Sequence, residues 1–172
     1  MQQIGRYRVT GELGRGAMGV VYRAEDPAIG RTVAIKTIRL TDVDDPKERE
    51  FLRQRLVREA RSAGVLSHPG IVTIYDVQEH DGIGYVFMEF VDGPSLEALL
   101  RQGIIEKQLL LSVLEQTAAA LDYAHSKGIV HRDIKPGNLL IASGNRVKIT
   151  DFGVAKFLSH QATQSGVVLG TP

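Results

Sequence analysis

The sequence predicts an α+β fold in which a small sheet with one helix is followed by a mainly helical part. Three observations lead to this prediction. Alternating apolar and polar residues occupy 7–40 and return at 71–90, as in strands with one buried face. A helix-start pattern lies between them at Asp45-Pro46, and a longer helical pattern covers 106–127. With 172 residues, of which 43% are hydrophobic and 24% charged, the chain can form an ordinary globular core.

The first predicted strands, 7–13 and 20–24, are joined by the glycine-rich segment 14–19 and should form a hairpin. A third strand is predicted over 31–40. Because side chains alternate between the two faces of a strand, Lys36 shares its face with apolar neighbours. A lysine in this position is a candidate functional residue.

A helix is predicted from Asp45 to about Leu66. It has an N-cap residue, a proline at its first position and a glutamate three residues after the cap. Its apolar stripe consists of Leu52, Leu56, Ala60 and Ala63. Glu59 lies on or beside this stripe, so its carboxylate should face the sheet and needs a charged partner.

The second half of the chain begins at a predicted hinge. Strands at 71–77 and 85–90 precede Asp92-Gly93-Pro94, which breaks the pattern, and a short helix starts near Ser95. The helix at 106–127 is apolar on most of its sides and should be covered on several of them. The following 45 residues contain no second long amphipathic helix that could cover it.

Composition excludes several classes of protein. The chain has no cysteine and a net charge of +1, which argue against a disulfide framework and against nucleic-acid binding. Its N-terminus is too polar for a signal peptide, and no apolar run reaches the roughly 18 residues of a membrane span. We therefore expect a cytoplasmic protein with no membrane contact from this segment, although other segments could anchor it.

The motif Gly14-x-Gly16-x-x-Gly19-x-Val21 is weak by itself, because a plain hairpin would have the same glycines. A dinucleotide-binding turn needs a helix after the glycines, but a strand continues here. A P-loop needs lysine and a hydroxyl residue after its last glycine, where this chain has Val20. The remaining functional reading is a hairpin whose backbone amides lie over phosphates.

Val33-Ala34-Ile35-Lys36 resembles the third-strand lysine motif of protein kinases, and Glu59 follows Lys36 by 23 residues. The two charges lie on faces that should meet, where Glu59 would hold Lys36 against nucleotide phosphates. The alternative is a surface lysine, with Glu59 paired to Arg55 one helical turn away. The sequence leaves both readings open.

The strongest signal is the run from His131 to Asn138, His-Arg-Asp-Ile-Lys-Pro-Gly-Asn, followed by Asp151-Phe152-Gly153. These motifs resemble the protein kinase superfamily, and more narrowly the bacterial relatives of eukaryotic serine/threonine kinases. The resemblance runs from about Tyr7 to Pro172. It implies a two-lobed fold: residues 1–91 form an N-lobe with a five-stranded antiparallel sheet and one helix, and 92–172 form part of a helical, truncated C-lobe.

The resemblance also implies catalytic roles. Asp133 would orient the substrate hydroxyl and accept its proton, and Lys135 would steady the γ-phosphate. Asn138 and Asp151 offer hard oxygen donors for Mg²⁺, with Mn²⁺ as an alternative. His131 invites a catalytic role, but its counterpart in the family packs beneath the phenylalanine, so we favour a structural role.

The resemblance to protein kinases also implies an ATP site. The adenine would lie between Ala34 and Leu140, Met88 would be the gatekeeper, and the backbone of Glu89 and Val91 would bond the base. The residues implied to contact ATP are Leu13, Gly14, Arg15, Gly16, Ala17, Met18, Gly19, Val21, Ala34, Lys36, Met88, Glu89, Val91 and Leu140.

Regulation is expected in the activation segment. In kinases with an arginine directly before the catalytic aspartate, a phosphorylated residue of this segment often binds that arginine, here Arg132. Thr163 and Ser165 resemble the paired autophosphorylation positions of the bacterial kinases. The alternative is that both are ordinary loop residues.

The predicted function is therefore an ATP- and Mg²⁺-dependent protein serine/threonine kinase that acts on Ser/Thr-bearing proteins. The alternative is a nucleotide-binding regulatory or interaction module without turnover. A small-molecule kinase is disfavoured, because Gly170-Thr171-Pro172 resembles the end of a protein kinase activation segment. A kinase of this family would continue beyond Pro172, so we expect either a fragment or a short protein that completes its surface as a homodimer.

Overall fold

The computed structural model describes residues 3–16, 19–40, 45–103 and 105–152. Its main sheet has six strands in the order β1-β2-β3-β4-β6-β5, and all neighbouring pairs are antiparallel. The strands are β1 (Gln3–Ile4), β2 (Tyr7–Gly16), β3 (Gly19–Asp26), β4 (Arg31–Arg39), β5 (Ile74–His80) and β6 (Ile83–Glu89). The five predicted strands are present, and the short β1 adds a sixth at the edge.

The β2–β3 hairpin extends further into the glycine-rich segment than its composition predicts. Gly14 pairs with Val21, and Gly16 pairs with Gly19. Glycine weakens a strand by its own propensity, but pairing with a neighbouring strand can override that propensity. The hairpin therefore carries the glycine motif at its end, close to the pairing of Val21 with Lys36 on β4.

Helix α1 (Pro46–Gly64) begins where the sequence predicts. The Asp45 carboxylate accepts a hydrogen bond from the Lys47 amide at 2.9 Å, which satisfies one of the free donors at the helix start. The four predicted stripe residues are all buried. Leu52 and Leu56 pack with Ile38, Leu40 and Val86 of the sheet side, so burial of this stripe fixes α1 against the sheet.

Within the described ranges, the part of the chain after β6 contains two further α-helices, two single-turn 3-10 helices and a small hairpin. The α-helices and strands are α2 (Leu96–Arg101), α3 (Lys107–Ser126), β7 (Leu139–Ala142) and β8 (Arg146–Ile149). Their core includes Val113, Ala120, Ala124, Leu139, Ile141, Val147 and Ile149. The Ile149 amide donates to the Gly70 carbonyl at 2.8 Å, and the Val72 amide donates to the Ile149 carbonyl at 2.9 Å. Backbone hydrogen bonds therefore attach β8 to the segment that leads into β5.

Helix α3 buries one face and exposes another. Val113, Ala120 and Ala124 are fully buried, whereas Leu111 and Leu114 are 51% and 59% exposed. The apolar surface that the sequence predicts on several sides of α3 is therefore present. Nothing in the described ranges covers the side that carries Leu111 and Leu114. None of the helices in those ranges is both long and apolar enough to span a membrane.

Candidate active site

Lys36 and Asp151 meet at the centre of the candidate site. Lys36 lies on β4, Asp151 follows β8, and the Lys36 Nζ lies 2.7 Å from the Asp151 Oδ1. Their side chains are 15% and 22% exposed, so each charge is largely screened from water and neutralises the other. Asp151 has φ +66°, a left-handed backbone conformation. Residues other than glycine rarely adopt it, and those that do are often found at functional sites.

The predicted ion pair between Lys36 and Glu59 is not formed. The Glu59 Oε1 lies 4.0 Å from the Arg55 Nε, one helical turn away on α1. Asp151 takes the lysine ammonium, and Glu59 makes the contact with Arg55 that the sequence offered as the alternative. Helical spacing alone does not define which carboxylate meets the lysine, because that depends on the three-dimensional arrangement. The role of Glu59 stays a prediction.

A network of hydrogen bonds organises the segment that begins at His131. The Asn138 Nδ2 donates to the Asp133 backbone carbonyl at 2.8 Å and to its Oδ2 at 3.1 Å. The Lys135 Nζ lies 2.8 Å from the same carboxylate oxygen. The Asp133 side chain remains 33% exposed, so a hydroxyl from solvent could still approach it. Two of the predicted site residues, Lys135 and Asn138, thus converge on the carboxylate of a third, Asp133.

His131 supports this segment from beneath. Its ring packs edge-on against Phe152 with 4.6 Å between the ring centroids, as predicted. Its Nε2 donates to the Thr150 carbonyl at 2.8 Å, and its Nδ1 accepts from the Asp133 amide at 3.2 Å. Burial lowers the pKa of His131, although the Thr150 bond and the nearby carboxylates oppose the shift. A neutral ring with one donor and one acceptor fits both bonds.

An apolar layer lies beside the charged groups. Ala34, Val72 and Met88 are buried together, with Val21, Val91 and Leu140 packed against them. All of these residues except Val72 are among those that the sequence implies to contact ATP. Val72 stands in an apolar run that was read as a strand, whereas β5 begins only at Ile74. Nothing in its local pattern distinguished Val72 from an ordinary core residue.

Glu89 is fixed by its side chain as well as its backbone. Its carboxylate oxygens lie 2.7 and 2.8 Å from the Lys148 Nζ. One of them also accepts from the Thr73 amide at 3.2 Å, and the Glu89 amide donates to the Thr73 carbonyl at 2.8 Å. Lys148 was missed from the sequence. The signal that could have identified Lys148 is its position as an ionisable residue between two apolar residues, Val147 and Ile149, which are both buried.

The remaining predicted residues lie along the glycine-rich hairpin or outside the described ranges. Leu13 is largely exposed, and Arg15 forms a 2.7 Å ion pair with Glu12. Gly14, Gly16 and Gly19 belong to the paired strands. The residues outside the described ranges are Ala17, Met18, Thr163 and Ser165.

Comparison with known proteins identifies the family. The model of the protein kinase domain matches residues 7–172, and this chain belongs to the protein kinase family. Its relatives include two bacterial serine/threonine-protein kinases: PknA of Mycobacterium tuberculosis is 43% identical, and PrkC of Bacillus subtilis is 44% identical. Each alignment covers 97% of this chain, but only 39% of PknA and 26% of PrkC. The chain thus spans well under half the length of these relatives.

The fold agrees with the same family. The crystal structure of a cysteine-to-alanine mutant of the PknI kinase domain of Mycobacterium tuberculosis superposes with a TM-score of 0.76 at 31% sequence identity. The superposition covers 89% of this chain and 61% of the PknI chain. The predicted kinase-like α+β fold is therefore confirmed.

Proposed function

We propose that this chain carries the nucleotide-binding and catalytic residues of an ATP- and Mg²⁺-dependent protein serine/threonine kinase. The observation that supports this most strongly is the convergence of Lys36, Asp133, Asn138 and Asp151. Direct contacts of 2.7 to 3.1 Å join Lys36 to Asp151 and Asn138 to Asp133, and the Thr150 amide, next to Asp151, donates to the Asn138 carbonyl at 3.0 Å. Phosphoryl transfer depends mainly on such positioning of charges.

The apolar layer suits the base of a nucleotide. Val21 and Ala34 would cover one side of the adenine, and Leu140 the other. The Glu89 amide is already bonded to Thr73, so its carbonyl is the backbone group left for the base. Met88 is buried at the back of this layer and would limit its depth.

The donor atoms at Asn138 and Asp151 suit a hard divalent cation. Both side-chain hydrogen bonds of Asn138 in the described ranges run from its nitrogen, which leaves the amide oxygen for a metal. The bond from Lys36 uses one oxygen of Asp151 and leaves the other. The described residues contain no cluster of three or more His, Cys, Asp or Glu side chains, so phosphate oxygens and water must complete the shell. A bound Mg²⁺ or Mn²⁺ would neutralise charge on the phosphates.

The chain's own groups account for the other requirements of phosphoryl transfer. Asp133 would orient a serine or threonine hydroxyl and accept its proton. Lys135, 2.8 Å from that carboxylate, would hold the γ-phosphate nearby. Lys36 would exchange its contact with Asp151 for the nucleotide phosphates, which are also anionic. The substrates would be proteins that present serine or threonine, since the relatives are serine/threonine-protein kinases.

The test is incorporation of labelled phosphate from Mg-ATP into a generic protein substrate and into the protein itself, followed by phosphoamino-acid analysis. We expect phosphoserine or phosphothreonine. Phosphotyrosine alone would contradict the hydroxyl specificity. Absence of transfer, although ATP binds, would contradict the catalytic proposal.

One observation favours the second candidate, a nucleotide-binding module without turnover. Lys36 contacts Asp151 while the Glu59 carboxylate lies near Arg55, so the ion pair that would hold Lys36 on the phosphates is not made. ATP-induced thermal stabilisation without phosphate transfer would support this candidate. Transfer at a measurable rate would exclude it.

Activation-segment autophosphorylation belongs to the same proposal. Thr163 and Ser165 would take phosphate in the active protein, and the phosphate would pair with Arg132. Arg132 has φ +71° and directly precedes Asp133, so a bound phosphate would act on the catalytic segment. Mass spectrometry of the protein after incubation with Mg-ATP should detect phosphate at one or both residues. Modification confined to other sites would contradict the assignment.

A further inference from the structure

Thr37, directly after Lys36 on β4, forms two hydrogen bonds with one residue of β3. Its Oγ1 accepts from the Val20 amide at 2.8 Å and donates to the Val20 carbonyl at 2.9 Å. The strand register ends at the pairing of Val21 with Lys36, so Val20 would face Thr37 if the ladder continued. The hydroxyl therefore supplies the next step of the ladder in place of backbone groups.

Gly19 packs against the backbone of the same threonine. A Cβ atom on Gly19 would clash with the Thr37 carbonyl oxygen and would lie 2.9 Å from its Oγ1. Gly19 also has φ +156°, which favours glycine. Thr37 thus contacts two successive residues at the C-terminal base of the glycine-rich segment, through its backbone and through its side chain.

These contacts determine how the hairpin end is oriented relative to Lys36. Arg15 pairs with Val20 and Gly16 pairs with Gly19, so both strands of the hairpin end follow the position of Val20 and Gly19. Lys36 and Thr37 are consecutive and point to opposite faces of β4. Lys36 would hold the phosphates with its charge, and Thr37 would hold the backbone of Gly19 and Val20 that lies over them.

We infer that Thr37 is a positioning residue for the phosphates of the nucleotide, a role that rests on the proposed ATP site. Its hydroxyl is bonded to Val20, which is not one of the residues of the apolar layer for the base. Loss of its hydroxyl should therefore weaken binding of a nucleotide more than binding of the nucleoside alone. A residue that only stabilised the sheet would affect both equally.

The test compares Thr37→Val with Thr37→Ser. Valine keeps the branched shape and loses both hydrogen bonds, whereas serine keeps the hydroxyl. Calorimetric titration with adenosine and with Mg-ATP should show that Thr37→Val raises the Kd of Mg-ATP about tenfold, as expected for loss of two hydrogen bonds. Its Kd for adenosine should stay within about twofold, and Thr37→Ser should resemble the wild type for both ligands.

Two results would overturn the inference. The first is unchanged Mg-ATP binding by Thr37→Val, and the second is an equal loss for adenosine and Mg-ATP. If the wild type binds neither ligand, the ATP site itself fails and the inferred role fails with it. Amide hydrogen exchange separates failure of the ATP site from failure of the Thr37 contacts. The Val20 amide must exchange faster in Thr37→Val than in the wild type if the two hydrogen bonds exist, whether or not ATP binds.

Discussion

His131 shows how a buried neutral ring can organise a charged site. Its two ring nitrogens bond Thr150 and Asp133, and its ring packs edge-on against Phe152. A protonated ring would lose the acceptor at Nδ1 and would have to carry a charge away from water. The residue therefore contributes most when it is neutral.

This arrangement predicts a pH dependence of stability. The pKa of His131 is lowered in the folded state, so the unfolded chain binds a proton more readily. Its stabilising contribution is complete above the ordinary value of 6.5 and is lost as the pH falls through that value toward the folded pKa. Urea unfolding between pH about 7 and about 5 should show a shallower decline for His131→Asn than for the wild type. Parallel curves would contradict this explanation.

Some residues of the site could be identified from the sequence because their motifs are local. Asp133, Lys135 and Asn138 lie within six positions, and their contacts with one another follow from that short segment. Val72 and Lys148 could not be identified in this way. Each acquires its role only when distant parts of the chain meet, and each looks locally like an ordinary strand residue.

Helix α1 spans Pro46–Gly64, close to the range from Asp45 to about Leu66 that the sequence predicts. Its start depends on Asp45 and Pro46, and both act within the first turn. The end of β2 was predicted less accurately, because its pairing with β3 overrides the weak strand propensity of Gly14 and Gly16. Local chemistry was therefore a better guide to the helix than to the hairpin.

The cap of α1 can be tested by substitution. Asp45→Ala removes the acceptor for the Lys47 amide and should lower the free energy of unfolding by about 0.5–2 kcal/mol. Asp45→Asn keeps an acceptor oxygen and should lose much less. Denaturant titration of the three proteins provides the comparison. Equal losses for alanine and asparagine would show that the hydrogen bond is not the cause.

At the scale of the whole molecule, Glu89 and Lys148 link the main sheet to the β7–β8 hairpin. Glu89 ends β6, and Lys148 lies on β8, opposite Leu140. The pair therefore joins β6, which leads into the hinge, to the β7–β8 hairpin, which contributes Leu140 to the apolar layer. Both side chains are more than three-quarters buried, so removing one leaves the other charge without its partner.

A double-mutant cycle measures this link. Lys148→Met and Glu89→Gln should each destabilise the protein, and the double variant should lose less than the sum, with a coupling of about 0.5–3 kcal/mol. The exposed pair Arg101–Glu97 is a matched control and should show little coupling. Additive losses for Glu89 and Lys148 would mean that the contact does not hold the two parts together.

In the function that we propose, Asp133 serves the transfer of phosphate and the rest of the site binds the nucleotide. The most direct measurement is the rate of phosphate transfer from Mg-ATP by the wild type and by Asp133→Asn, with the Kd of ATP determined for both. Asp133→Asn should transfer phosphate more slowly by a factor of about 10²–10⁴ and should bind ATP with an almost unchanged Kd. Equal rates for the two proteins would contradict the proposed function.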